Sequence, residues 1–144
     1  MVNQKIEIQE KKEANYRRLV RPRMMDHLRD RILEQIVVKK RYRDSGYTAR
    51  QLAADLQTNV RYVSAVVRVQ FHTNYSTFIN RYRIEEAMSI LTDQRYAHLK
   101  IEDISDMVGF VHRQSFYLAF QKFAGMTPKA YRMQYELQLN KKLK

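Results

Sequence analysis

Apolar side chains along this chain recur at helical spacing, and every long run of them can be assigned to a helix. Met25, Leu28, Ile32, Leu33, Ile36 and Val37 repeat with a period near 3.6, which predicts an amphipathic helix over about 23–42. Pro22 suits its first turn, and the string KKRYRDSG with Gly46 closes it. Thr48 and Gln51 have capping-box spacing before a helix at 49–57 with Leu52, Ala53 and Leu56 on one face. Asn59 can cap a helix at 60–70 whose inner face is Val63, Val66 and Val67. Asn74 or Ser76 can cap a longer one, about 75–93, carrying Phe78, Ile79, Tyr82, Ala87, Ile90 and Leu91. A short helix at 101–108 holds Ile101, Ile104 and Val108 and stops at Gly109. A helix from His112 to Gly125 places Phe116, Phe120 and Phe123 at helical spacing. Thr127 and Pro128 supply N-cap and first position of a last helix, about 128–138. Residues 1–20 are polar and charged with no sustained heptad, and read as a solvated helix, a tail or a linker.

The helices at 49–70 repeat at 101–124. Leu52 and Leu56 correspond to Ile104 and Val108, and Val63 and Val67 to Phe116 and Phe120. Ala53 and Ser105 are both small where two helices must approach closely. A short helix, a tight turn and a second helix of this size form a helix-turn-helix, whose second helix lies in the DNA major groove. The sequence therefore predicts an all-α fold of about seven helices: two helix-turn-helix subdomains joined by a long central helix. The expected organisation is an N-terminal arm or linker at 1–22 and a first subdomain at 23–74. A linker helix at 75–93, a second subdomain at 94–138 and a basic tail at 139–144 follow.

At 100° per residue the outward faces can be worked out. With Phe116 inward, Gln114, Leu118 and Gln121 point outward, flanked by Tyr117 and Lys122. With Val63 inward, Arg61, Ala65 and Arg68 point outward, flanked by Ser64 and Val69. Arginine can pair bidentately with guanine, glutamine with adenine, and an apolar group can touch the thymine methyl. The expected base readers are Arg61, Ser64, Ala65, Arg113, Gln114, Tyr117 and Leu118. The expected phosphate contacts are Asn59, Arg68, His112, Gln121 and Lys122. The linker helix, about 19 residues at roughly 1.5 Å each, would be a rod near 28 Å. One DNA turn is about 34 Å, so a single chain could reach two successive groove segments.

Charge narrows the function further. The 144 residues contain 27 Lys and Arg against 15 Asp and Glu, a net charge of +12, which favours a polyanion. With no Cys there is no disulfide and no thiolate metal site, as expected of a reducing cytoplasm. No signal peptide and no membrane-spanning run is evident, so no membrane partner is expected. His27, His72, His98 and His112 are isolated, and neither an HExxH motif nor a phosphate-cradling glycine loop is present. The reading is therefore a non-enzyme without cofactor or metal.

The stretches FINRYRIEEAMSIL (78–91), IEDISDMVGF (101–110) and SFYLAFQKFAGMTPKAYR (115–132) resemble the DNA-binding domain of the AraC/XylS family of bacterial transcription regulators. Gly109, Phe110, Phe116, Phe120, Gly125, Thr127, Pro128, Tyr131 and Arg132 match the family's strongest pattern, and the likeness covers about 25–134. It implies a two-lobed helical fold, binding to double-stranded DNA and control of transcription, with RNA polymerase as a candidate partner. It also implies that Phe116, Phe120, Phe123 and Tyr131 are core, and that Arg132 either braces the second lobe or touches DNA. Arg81 and Arg83 would contact phosphate or pair with Glu85 and Glu86. The chain departs from the pattern at Ala65 and Leu118, where many members carry a polar reader, at His72, where glycine is usual, and at Lys100, a poor cap. The rival readings are a protein-interaction module built on a degenerate helix-turn-helix, and a nonspecific nucleic-acid binder.

Overall fold

The computed structural model describes residues 2–19 and 21–143, and the side chains of 3–15 and 21–143. Residues 1 and 20 of the expected arm and residue 144 of the expected tail lie outside the described residues. Among those described there is no strand, and there are eight α-helices. They are α1 (Val2–Leu19), α2 (Pro22–Leu33), α3 (Ala49–Asp55), α4 (Val60–Phe71), α5 (Tyr75–Leu91), α6 (Ile101–Val108), α7 (Arg113–Ala124) and α8 (Pro128–Leu143). The helix beyond the expected seven is α1.

The caps are those that the side chains dictate. Thr48 accepts from the Gln51 amide at 3.2 Å, Asn59 from Tyr62 at 3.0 Å, Asn74 from Thr77 at 2.9 Å and Thr127 from Ala130 at 3.1 Å. At α6 the cap residue Lys100 offers no acceptor; instead the Asp103 carboxylate accepts from the Lys100 amide at 3.2 Å. Two boundaries differ from expectation. The helix expected over 23–42 leaves α-geometry at Leu33, continues as a π-turn over Glu34–Val38, and is broken by Lys40 at φ 53°. A 3-10 turn, Arg41–Arg43, follows, because Tyr42 turns inward and is buried. The basic tail is helical through Leu143, since no Gly or Pro follows Pro128 to stop it.

The chain packs as two compact units, Met1–Arg41 with Gly46–Phe78, and Tyr42–Ser45 with Ile79–Lys144. In the first, α4 is the central element and α1, α2 and α3 all pack against it. Met25, Leu28, Ile32, Ile36, Leu52, Val63, Val66 and Val67 are buried. Gln70 of α4 is tied to α2 by Asp26 at 3.1 Å and Arg29 at 3.4 Å. Tyr47 donates to Asp55 at 2.6 Å, and burial together with that carboxylate pushes its phenol well up.

The core of the second unit gathers Ile84, Ala87, Ile104, Val108, Phe110, Phe116 and Phe120, with Tyr131 packed against it. Arg83 lies inside this unit, not on a helix surface as expected, and is only 8% exposed. Its Nε donates to the Tyr42 carbonyl at 2.6 Å, Nη2 to the Asp44 carbonyl at 3.2 Å and Nη1 to Asn80 at 3.2 Å. Its guanidinium also sits 5.5 Å from the Phe110 ring centre. Gly109, at φ +110°, lies against the same strip: an added Cβ would collide with the Tyr42 carbonyl and come within 2.9 Å of the Arg43 carbonyl. Arg132 braces this unit, donating to the Leu99 carbonyl at 2.8 Å. Phe123, expected in the core, is 36% exposed; it lies three residues past Phe120, near the helix end, beyond the reach of the cluster.

Candidate nucleic-acid interface

The face of α7 follows from its period. Phe116, Ala119 and Phe120 are buried on one side, so Gln114, Leu118 and Gln121, opposite them, stand in solvent. Leu118 is 65% exposed, a large apolar group held out on a helix otherwise well packed. Arg113, Lys122 and His112 are also exposed, and Tyr117 is half-buried beside the Phe116 ring at 5.9 Å. His112 occupies the N-cap position but makes no side-chain cap, so its imidazole is not committed there. Arg113 Nη2 meets Glu102 Oε1 of α6 at 2.6 Å across the turn. Helical spacing marks Glu102 only as a first-turn carboxylate of α6; its reach to Arg113 depends on the turn geometry. Amide, guanidinium and apolar groups together on one open helix side can read base edges, and the cations at its ends can meet phosphate.

The corresponding face of α4 is different. Arg61 is exposed, Ser64 and Arg68 are half-buried, and Asn59 is exposed while its side-chain oxygen caps the helix. Ala65 is fully buried, at 0% exposure, and Val69 is buried beside it. The expectation that Ala65 touches a base is therefore corrected: packing on its own side removes it from solvent. A helical wheel with one assumed core face could not show this, because α4 is packed on more than one side. Of the two linker-helix arginines, Arg81 pairs with Glu85 at 3.4 Å, as its spacing suggested, and Arg83 is the internal brace described above.

His72 ends α4 in the left-handed region, φ 57°, the conformation that makes glycine the usual choice there. No group of His, Asp and Glu that could hold a metal occurs among the described residues. No helix among them is long and apolar enough to cross a membrane.

Residues 52–134 match a family model described as a helix-turn-helix domain. The chain is 29% identical over 91 residues to the uncharacterized HTH-type transcriptional regulator YtdP of Bacillus subtilis, covering 63% of this chain and 11% of that protein. It is 26% identical over 139 residues to the uncharacterized HTH-type transcriptional regulator YijO of Escherichia coli, covering 87% of this chain and 48% of that one. The chain thus spans about half or less of the length of these relatives. Among solved structures, it is similar to the C-terminal domain of the two-component response regulator yesN from Fusobacterium nucleatum. The TM-score is 0.60 at 29% identity, over 69% of this chain and 94% of that one. It is also similar to the C-terminal domain of AraT, a response regulator from Geobacillus stearothermophilus, with a TM-score of 0.61 at 25% identity, over 67% and 78% of the two chains. With the repeat, the exposed face of α7 and the matched domain in agreement, the chain belongs to the AraC-type helix-turn-helix family of DNA-binding transcription regulators.

Proposed function

We propose that this chain binds double-stranded DNA sequence-specifically by laying α7 in the major groove, and that it regulates transcription in the bacterial cytoplasm through that contact. The observation that carries the reading is the open side of α7, where Gln114 and Leu118 are exposed opposite a sealed aromatic core. Gln114 reads adenine, Leu118 packs on a thymine methyl, and Arg113 and Tyr117 read from the flanks. His112, Gln121 and Lys122 hold phosphates, and exposed Arg61 and half-buried Arg68 add charge from the first unit. RNA polymerase is the partner through which such a contact would act on transcription.

Selection from randomised duplexes tests this directly. A defined site must emerge, affinity must fall steeply with salt as condensed counterions return, and Gln114→Ala must relax preference at one base pair. An affinity indifferent to salt would favour the rival suggested by exposed Met107, Val111 and Leu118, an apolar protein contact.

A further inference from the structure

We propose that α1 is a built-in cover over the outward side of α4, so that while α1 is seated the chain reads bases through α7 and not through α4. The inference rests on the reading of α7 as a DNA reader, and concerns which of the two repeated helices is available. Among the described residues α1, α2 and α3 pack most extensively against α4, and α5 meets only its end, where Phe78 lies 4.6 Å from Phe71, about 120° around the helix from Ala65. Val63, Val66 and Val67 turn toward the core formed with α2 and α3, and Gln70 is fastened to α2 through Asp26 and Arg29. At 100° per residue Gln70 lies about 140° around the helix from Ala65, so α2 does not reach Ala65. Helix α3 leads into α4 through the short turn ending at Asn59, and faces it with buried Leu52 and Ala53.

The element left for the opposite side is α1. Its Glu13 Oε1 is 4.0 Å from His72 Nδ1 at the end of α4, two turns beyond Ala65. Gln9 and Glu13 are the half-buried positions of its described side chains, and Ile6 and Ile8 are exposed. Ala65, too small to hold a neighbour away, and Val69 are the groups this side presents, and neither can hydrogen-bond a base edge. Arg61, Arg68 and His72 fall on the rim of the same side, and at its His72 end the Glu13 carboxylate stands where a phosphate would otherwise approach. A seam that includes Gln9 and Glu13 is held more weakly than an apolar one, which makes the cover removable.

Because the chain has no cysteine, a single introduced thiol reports the cover. The full chain carrying Val69→Cys is compared with Val69→Cys/Glu13→Pro, in which the proline breaks α1. Reaction with a maleimide should be roughly tenfold or more faster in the second chain, as expected when a local opening equilibrium shifts by that factor. Equal rates overturn the proposal. Val67→Cys, on the core side, should stay protected in both backgrounds. If it also speeds up, the proline has opened the whole unit, and Glu13→Arg, which keeps the helix, decides by the same comparison. On a duplex selected by the native chain, the Glu13→Pro chain should gain protected phosphates outside the segment read by α7. An unchanged footprint, or base contacts by Arg61 already present in the native chain, overturns the screening of α4. Failure of every chain to bind duplex would instead defeat the α7 reading, while the thiol rates would still report the cover.

Discussion

Arg113 Nη2 and Glu102 Oε1 stand 2.6 Å apart, joining the first turn of α6 to the first turn of α7. The pair draws a cation from the start of α7, the proposed reader, toward a carboxylate that DNA would repel. Both partners are more than half exposed, so the bond itself is worth about 0–1 kcal/mol. Glu102→Gln should therefore leave stability nearly unchanged and raise affinity for random duplex a few-fold. The slope of log affinity against log salt should steepen by about 0.9, because on random duplex, where no cognate base meets it, the freed Arg113 neutralises one more phosphate. A titration against random duplex at several salt concentrations checks both numbers.

Gln114 and Lys122 should separate specificity from attraction. Gln114→Ala should cost about 1–3 kcal/mol on the selected site and little on random duplex, with preference lost at a single base pair. Lys122→Ala should weaken all sequences alike and reduce the salt slope by about 1. Competition binding with single-base-pair variants of the site distinguishes the two patterns.

Two glycines with positive φ should respond differently to the same substitution. At Gly125, φ +75°, nothing lies within 4 Å of an added Cβ, so Gly125→Ala should cost only the left-handed penalty of about 1–2 kcal/mol. At Gly109 the new Cβ would strike the Tyr42 carbonyl, and backbone atoms cannot swing aside as a flexible side chain can. Gly109→Ala should cost several kcal/mol, of order 3 or more, once overpacking is added to the dihedral strain. Denaturant unfolding of the two variants measures the difference.

Arg83 should behave as a structural residue and not as a DNA contact. Arg83→Leu removes two charge-assisted donors to the Tyr42 and Asp44 carbonyls, each worth about 1.5–3 kcal/mol. Arg83→Lys should recover less than half of the loss, because one ammonium cannot span both carbonyls as a planar guanidinium does. Melting temperatures in the absence of DNA check this, since a phosphate contact would leave them unmoved.

What was legible in the sequence was whatever depends on near neighbours along the chain. Helical period placed Val63, Val66 and Val67, and again Phe116 and Phe120, on buried sides. Side-chain acceptors at Thr48, Asn59 and Thr127 marked helix starts, because a cap acts within three residues of itself. Period also placed Gln114 and Leu118 in solvent, since α7 has one packed face and the opposite side is open. Tertiary structure alone decided the rest. Ala65 is buried because α4 is packed on more than one side, a fact about distant segments that no local spacing carries. Phe123 keeps the spacing of a core residue yet lies near the end of its helix, past the edge of the cluster. Arg83 looks like a surface cation in a row of charges, and only the approach of the Tyr42 and Asp44 carbonyls, some forty residues away, turns it into an internal brace.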